Sequence, residues 1–145
     1  MKSVLLVLLC LTGFIFTKEL YISETRGDDN NSGSFSHPFK TLEKAFKTAE
    51  DDDIVKVEEG TYTTDRTLFV KKSFQLIGIK NENGKKPRIT GRIAFSDTKK
   101  VFITGFQFES RISLYAELKS YHIEHCDFLN IRGFFFFFFL SNVFL

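Results

Sequence analysis

Short segments with an apolar-x-apolar core recur along this chain, and nothing with a helical period lies between them. Residues 74–79 (FQLIGI), 101–106 (VFITGF) and 121–126 (YHIEHC) share the pattern, and Val55-Lys56-Val57 is a shorter fourth member. Their starts are separated by 19, 27 and 20 residues. The three longer segments each follow another short strand-like stretch, at residues 67–70, 92–95 and 112–114. Short strands repeating at this interval without helices are the signature of a β-solenoid, in which each coil buries its apolar face against the next at ~4.8 Å. The longer second interval contains residues 80–88 (KNENGKKPR), which fit a loop bulging from one corner. A β-sandwich also uses many short strands. Against it, hairpin signals are scarce: Asn83-Gly84 is the only strong one, and the chain has 2 prolines.

Upstream of the repeats the pattern changes. Residues 18–23 (KELYIS) alternate polar and apolar and read as a strand. Residues 24–37, rich in Gly, Asp, Asn and Ser, read as a surface loop. Pro38 then opens a helical stretch, with a helix expected at about residues 41–50. Leu42, Ala45, Phe46 and Ala49 fall on one face of it, and Thr41 is suited to the N-cap. The acidic run Glu50-Asp51-Asp52-Asp53 opposes the helix dipole and reads as the turn into the strand at Val55.

The two ends do not look like parts of a core. Residues 1–17 (MKSVLLVLLCLTGFIFT) have the order and length of a secretory signal peptide, and their apolar stretch is too short to span a bilayer. Secretion is therefore expected, with no transmembrane helix after cleavage. Cleavage would remove Cys10 and leave Cys126 as the only thiol, so packing rather than a disulfide must hold the fold. Residues 134–145 (FFFFFFLSNVFL) have no strand or helix period and are expected to be non-structural, the chain being read as a fragment. Residues 18–133 remain, one domain's worth of chain. With 20 Lys+Arg against 18 Asp+Glu interleaved along the whole sequence, there is no electrostatic case for nucleic acid.

Several residues together resemble a known family. Tyr21-Ile22-Ser23, Gly27-Asp28, Gly33, Pro38-Phe39-Lys40-Thr41-Leu42 with Ala45, Asp53-Ile54-Val55-Lys56-Val57 and Gly60-Thr61-Tyr62 resemble the opening of the right-handed parallel β-helix proteins of the pectin-lyase-like superfamily. Within it the chain is similar to the chondroitinase B and alginate lyase type and to related β-helix domains of unassigned function. The run Val101-Phe102-Ile103-Thr104-Gly105-Phe106-Gln107-Phe108 resembles their recurring coil strand. The resemblance covers about residues 19–130. It implies an all-β, right-handed parallel β-helix of three to four coils with a short α-helical N-terminal cap. It also implies an association with extracellular polysaccharide. Enzymes of the family cleave uronate-containing chains by β-elimination, in which Ca²⁺ or a basic side chain neutralises the carboxylate and a Lys or Arg takes the α-proton. No catalytic motif of theirs is matched here, so no catalytic residue is assigned. A Ca²⁺ ion enters by resemblance only. The alternative is a non-enzymatic, adhesin-type extracellular scaffold.

On a coil strand alternate residues face outward. That makes Lys56, Gln75, Phe102, Thr104, His122 and Glu124 the expected glycan-facing set, stacked along one face. The spacing of His122 and His125 places them on opposite faces of a strand, which disfavours a zinc site. Asp28, Asn30, Ser32 and Gly33 imitate the front of a calcium loop, but Phe39 stands where an EF-hand needs a bidentate Glu. Asn30-Asn31-Ser32 is a glycosylation sequon. Arg26-Gly27-Asp28 spells an adhesion tripeptide, too short a match to carry weight, and Cys126 is expected inside a coil. A solenoid left open after its last coil exposes strand edges, so self-association is expected there.

Overall fold

The computed structural model describes residues 17–114 and 120–129. The signal-like stretch and the Phe-rich tail lie outside them, apart from Thr17. Strand β1 (Glu19–Ile22) is followed by a long loop and by α1 (Leu42–Thr48). The chain then lays down strands in threes. The first coil carries β2 (Ile54–Val57), β3 (Thr61–Tyr62) and β4 (Leu68–Val70), and the second β5 (Gln75–Gly78), β6 (Arg88–Ile89) and β7 (Ile93–Phe95). The third carries β8 (Lys100–Thr104), β9 (Gln107–Phe108) and β10 (Ile112–Leu114), and β11 (Ser120–Glu124) with β12 (Asp127–Phe128) begins another.

Corresponding strands stack into three sheets, ordered β1-β2-β5-β8-β11, β3-β6-β9-β12 and β4-β7-β10, and every pairing is parallel. The architecture is a right-handed parallel β-helix capped by one short helix. Leu20, Val55, Leu76, Ile103 and Ile123 share one register row of the first sheet, and the first four are buried at its centre. The second sheet supplies Tyr62, Ile89, Phe108 and Phe128, with the last two rings stacked at 5.5 Å. Burial of each such side chain contributes ~1.5–3 kcal/mol.

One register differs from the sequence expectation. The repeat spacing sets Val55 opposite Phe74, whereas Val55 pairs with Leu76. The slip is two residues, so every side chain keeps its face, and alternation alone cannot detect it. Phe74 sits ahead of β5, where its ring meets Phe46 of α1 at 5.3 Å and helps seat the cap. The later registers agree with the sequence: Gln75 pairs with Phe102, and Val101 with Tyr121.

The cap helix begins later than Pro38, because Phe39 makes a parallel bridge with Ile22. The Phe39 amide donates to the Tyr21 carbonyl at 2.8 Å and the Ser23 amide to the Phe39 carbonyl at 2.9 Å, so the loop covers the free edge of β1. Thr41 is the N-cap, its hydroxyl accepting from the Lys44 amide at 3.2 Å, and Leu42, Ala45 and Ala49 are buried. The acidic run after the helix is consumed by the fold. Asp53 accepts from the amides of Lys18 and Glu50, Asp51 from that of Ser73, and Lys72 donates to the Ala49 carbonyl while pairing with Glu50. Residues 81–85 form the expected corner loop, in which the Asn81 side chain accepts from the amides of Asn83 and Lys85.

Candidate functional site

The outer face of the first sheet carries all six expected glycan-facing residues in two register rows. One row holds Glu19, Ile54, Gln75, Phe102 and His122; the other holds Tyr21, Lys56, Ile77, Thr104 and Glu124. Parallel stacking brings Phe102 and His122 onto adjacent coils, where their rings lie 5.1 Å apart with planes parallel to within 6°. His122 Nε2 lies 3.0 Å from Glu124 Oε2. At the other end of the face, Lys56 Nζ donates to Glu19 Oε1 at 2.7 Å and to Tyr21 Oη at 3.3 Å, and sits over the Tyr21 ring. The hydrogen bond from Lys56 holds the Glu19 carboxyl below its usual range, and the same bond raises the Lys56 ammonium above its own.

Tyr21 and Phe35 extend this face and were not among the expected residues. Their rings meet edge to face at 5.3 Å, and Phe35 remains 64% exposed with the Arg26 guanidinium 4.9 Å from its centroid. Aligning β1 with the repeats would have placed Tyr21 beside Lys56. Phe35 sits in a loop, where no periodicity points to it. Arg26 also pairs with Glu58 and donates to the Phe35 carbonyl, so the first residue of the adhesion-like tripeptide is engaged within the fold.

Other sequence candidates are placed differently. His125 follows β11 in the left-handed region (φ 52°), so the opposite-face expectation for a strand does not govern it. Its Nδ1 lies 3.8 Å from Glu124 Oε1, and both histidines flank one carboxylate. Among the described residues no group of three His, Cys, Asp or Glu side chains gathers as a metal set. Asp28 instead accepts from the backbone and side-chain nitrogens of Asn30 at 2.8 and 3.0 Å, closing its own loop. Asn30 itself is exposed. Cys126 packs against the core, and burial pushes its thiol pKa up.

The residue of this region that the sequence did not single out is Asp29. Its Oδ1 accepts from the amides of Lys40 and Thr41 at 2.9 and 3.0 Å, and its Oδ2 accepts from the Thr41 hydroxyl at 2.7 Å. Burial alone would raise its pKa, but these hydrogen bonds outweigh it and hold the carboxyl below the usual range.

A family model described as "Protein of unknown function (DUF1565)" matches residues 25–134. No curated protein and no solved structure gave a match.

Proposed function

The chain belongs to the DUF1565 family of proteins of unknown function, and we propose that it is a secreted β-helix module that recognises extracellular polysaccharide. The observation that carries this reading is the stacked Phe102–His122 ring pair on the outer face of the first sheet. Aromatic side chains on an outer face suit contact with the apolar face of a pyranose ring. Gln75, Thr104 and Glu124 stand beside the ring pair in the same two rows as hydrogen-bonding partners for hydroxyls. The resemblance to the pectin-lyase-like superfamily and the signal-like residues 1–17 support the extracellular placement.

Recognition is favoured over cleavage by the state of Lys56. β-Elimination needs a base that is free to accept a proton, and this ammonium is held charged by Glu19. Incubation with alginate, pectate or chondroitin should therefore release no unsaturated uronate; turnover would sink the binding-only reading. The positive test is an NMR titration of the full chain with oligosaccharides of those polymers. Shifts should concentrate on Phe102, His122 and Thr104, and Phe102→Ser should weaken binding about tenfold, the scale of one aromatic contact. A specific observation favours a scaffold instead: Lys56 with Glu19 and His122 with Glu124 already satisfy one another. Absence of shifts on this face with every glycan would establish that second reading.

A further inference from the structure

The described residues include five arginines: Arg26, Arg66, Arg88, Arg92 and Arg111. Arg26 is paired with Glu58, and Arg88 with Glu109. The other three are exposed and make no ion pair among the described residues, and all three stand where the coils enter the third sheet. Arg92 immediately precedes β7 and Arg111 immediately precedes β10, while Arg66 lies two residues before β4. The Leu68 amide donates to the Arg92 carbonyl at 2.9 Å and the Ile93 amide to the Arg111 carbonyl at 3.3 Å, so the stacking continues through this corner. Arg92 and Arg111 are consequently one interstrand spacing apart, ~4.8 Å along the solenoid.

Leu68, Ile93 and Ile112 share a register row and pack against the core. Alternation then turns Arg92 and Arg111 outward, onto the side of the row Phe69, Ala94 and Ser113, of which Phe69 is exposed, Ser113 half-buried and Ala94 buried. Phe69 on that face is 63% exposed. Like charges in adjacent strand positions repel, so this arrangement is unfavourable until an anion lies across it. The nearest carboxylates in sequence do not relieve it: Glu109 is taken by Arg88 at 3.2 Å, and Asp65 makes no ion pair among the described residues.

We propose that Arg92 and Arg111 bind the carboxylate or sulfate groups of an acidic polysaccharide, one pyranose ring of which rests on Phe69. The ligand class follows the functional reading above, but the site is a different face of the solenoid and stands or falls separately. Guanidinium forks suit planar carboxylates and sulfates. A nucleic acid is disfavoured because tight binding to phosphates needs many cations, and the chain's net charge is only +2.

The test is calorimetric titration of the full chain with a polygalacturonate hexamer, a chondroitin sulfate hexasaccharide and a neutral glucan hexamer. The acidic probes should bind, more weakly as salt is raised, and the neutral one should not. The double variant Arg92→Gln/Arg111→Gln should weaken acidic-probe binding about tenfold or more, the value of one strong charge-assisted contact. The charge-matched control Lys40→Gln/Lys47→Gln, at the cap, should change it less than about twofold. Phe69→Ser should weaken binding without altering its salt dependence. Both arginines are exposed and make no ion pair among the described residues, and unchanged circular dichroism and unfolding midpoint will show that the variant folds. Equal loss in the two double variants, equal binding of the neutral hexamer, or equal binding of single-stranded DNA would overturn the proposal. Loss of binding in Phe102→Ser with none in the arginine variant would leave the first-sheet reading standing and remove this one; the converse would remove the first-sheet reading.

Discussion

Asp29 shows how a loop residue can organise an element it does not belong to. One carboxylate gathers two amides and a hydroxyl at the start of α1, and it fixes the same Thr41 that caps the helix. Asp29→Asn should cost about 1–2 kcal/mol, because charge-assisted bonds become ordinary ones. The folded-state pKa is lowered, so the contribution is fully present above the unfolded value of about 3.9 and fades as pH falls through the folded one. Urea midpoints of wild type and variant should therefore converge toward acid; a constant gap across pH would refute the assignment. Cys126 gives a second residue-scale expectation. Burial raises its thiol pKa, so alkylation near neutral pH should be slow in the folded chain and accelerate in denaturant. Equal rates in both states would mean the thiol is not packed. The sequence placed Cys126 in a coil because a small apolar residue fits there. It could not place Asp29, since four acids and amides stand in a row at residues 28–31 and only contact selects among them.

The elements differ in how visible they were. Four-residue strands such as β2 and β5 carry enough alternation to be read, and α1 shows its face through Leu42, Ala45 and Ala49. The second sheet went unread as a sheet because its strands are two residues long and each offers a single inward side chain. Its corner with the first sheet is tight. Gly105 has φ 84°, and a Cβ built there would lie 2.6 Å from the Gly78 carbonyl oxygen. Gly105→Ala combines backbone strain with a clash against main chain, so a loss of about 1–3 kcal/mol is expected. A chemical-denaturation midpoint equal to wild type would show that the corner can open. At the cap, Leu42→Ala should cost about 2–5 kcal/mol by leaving a cavity over the first coil.

As a whole the molecule is a one-dimensional stack, and each coil is stabilised mainly by the neighbours above and below it. Stability should then vary along the axis. Amides shared by β5 and β8 have a coil on either side and a fully buried row containing Leu76 and Ile103. They should exchange with solvent more slowly than those of β12, which lies at one end of the second sheet's order and has only partly buried residues. Uniform protection along the axis would instead indicate a single cooperative block.

By itself the sequence determined which residues point inward and which outward, because the two-residue period of a strand is written in the order of apolar and polar side chains. Lys56, Gln75, Phe102, Thr104, His122 and Glu124 shared a face on that ground alone. Only the tertiary structure decided who stands next to whom. It moved Phe74 out of the strand and under the cap, and it stacked Phe102 on His122. It also lined up Arg92 with Arg111, which make no ion pair among the described residues. The physical reason is that neighbours in a solenoid are set by coil length. Corner loops change that length without disturbing the alternation from which the faces are read.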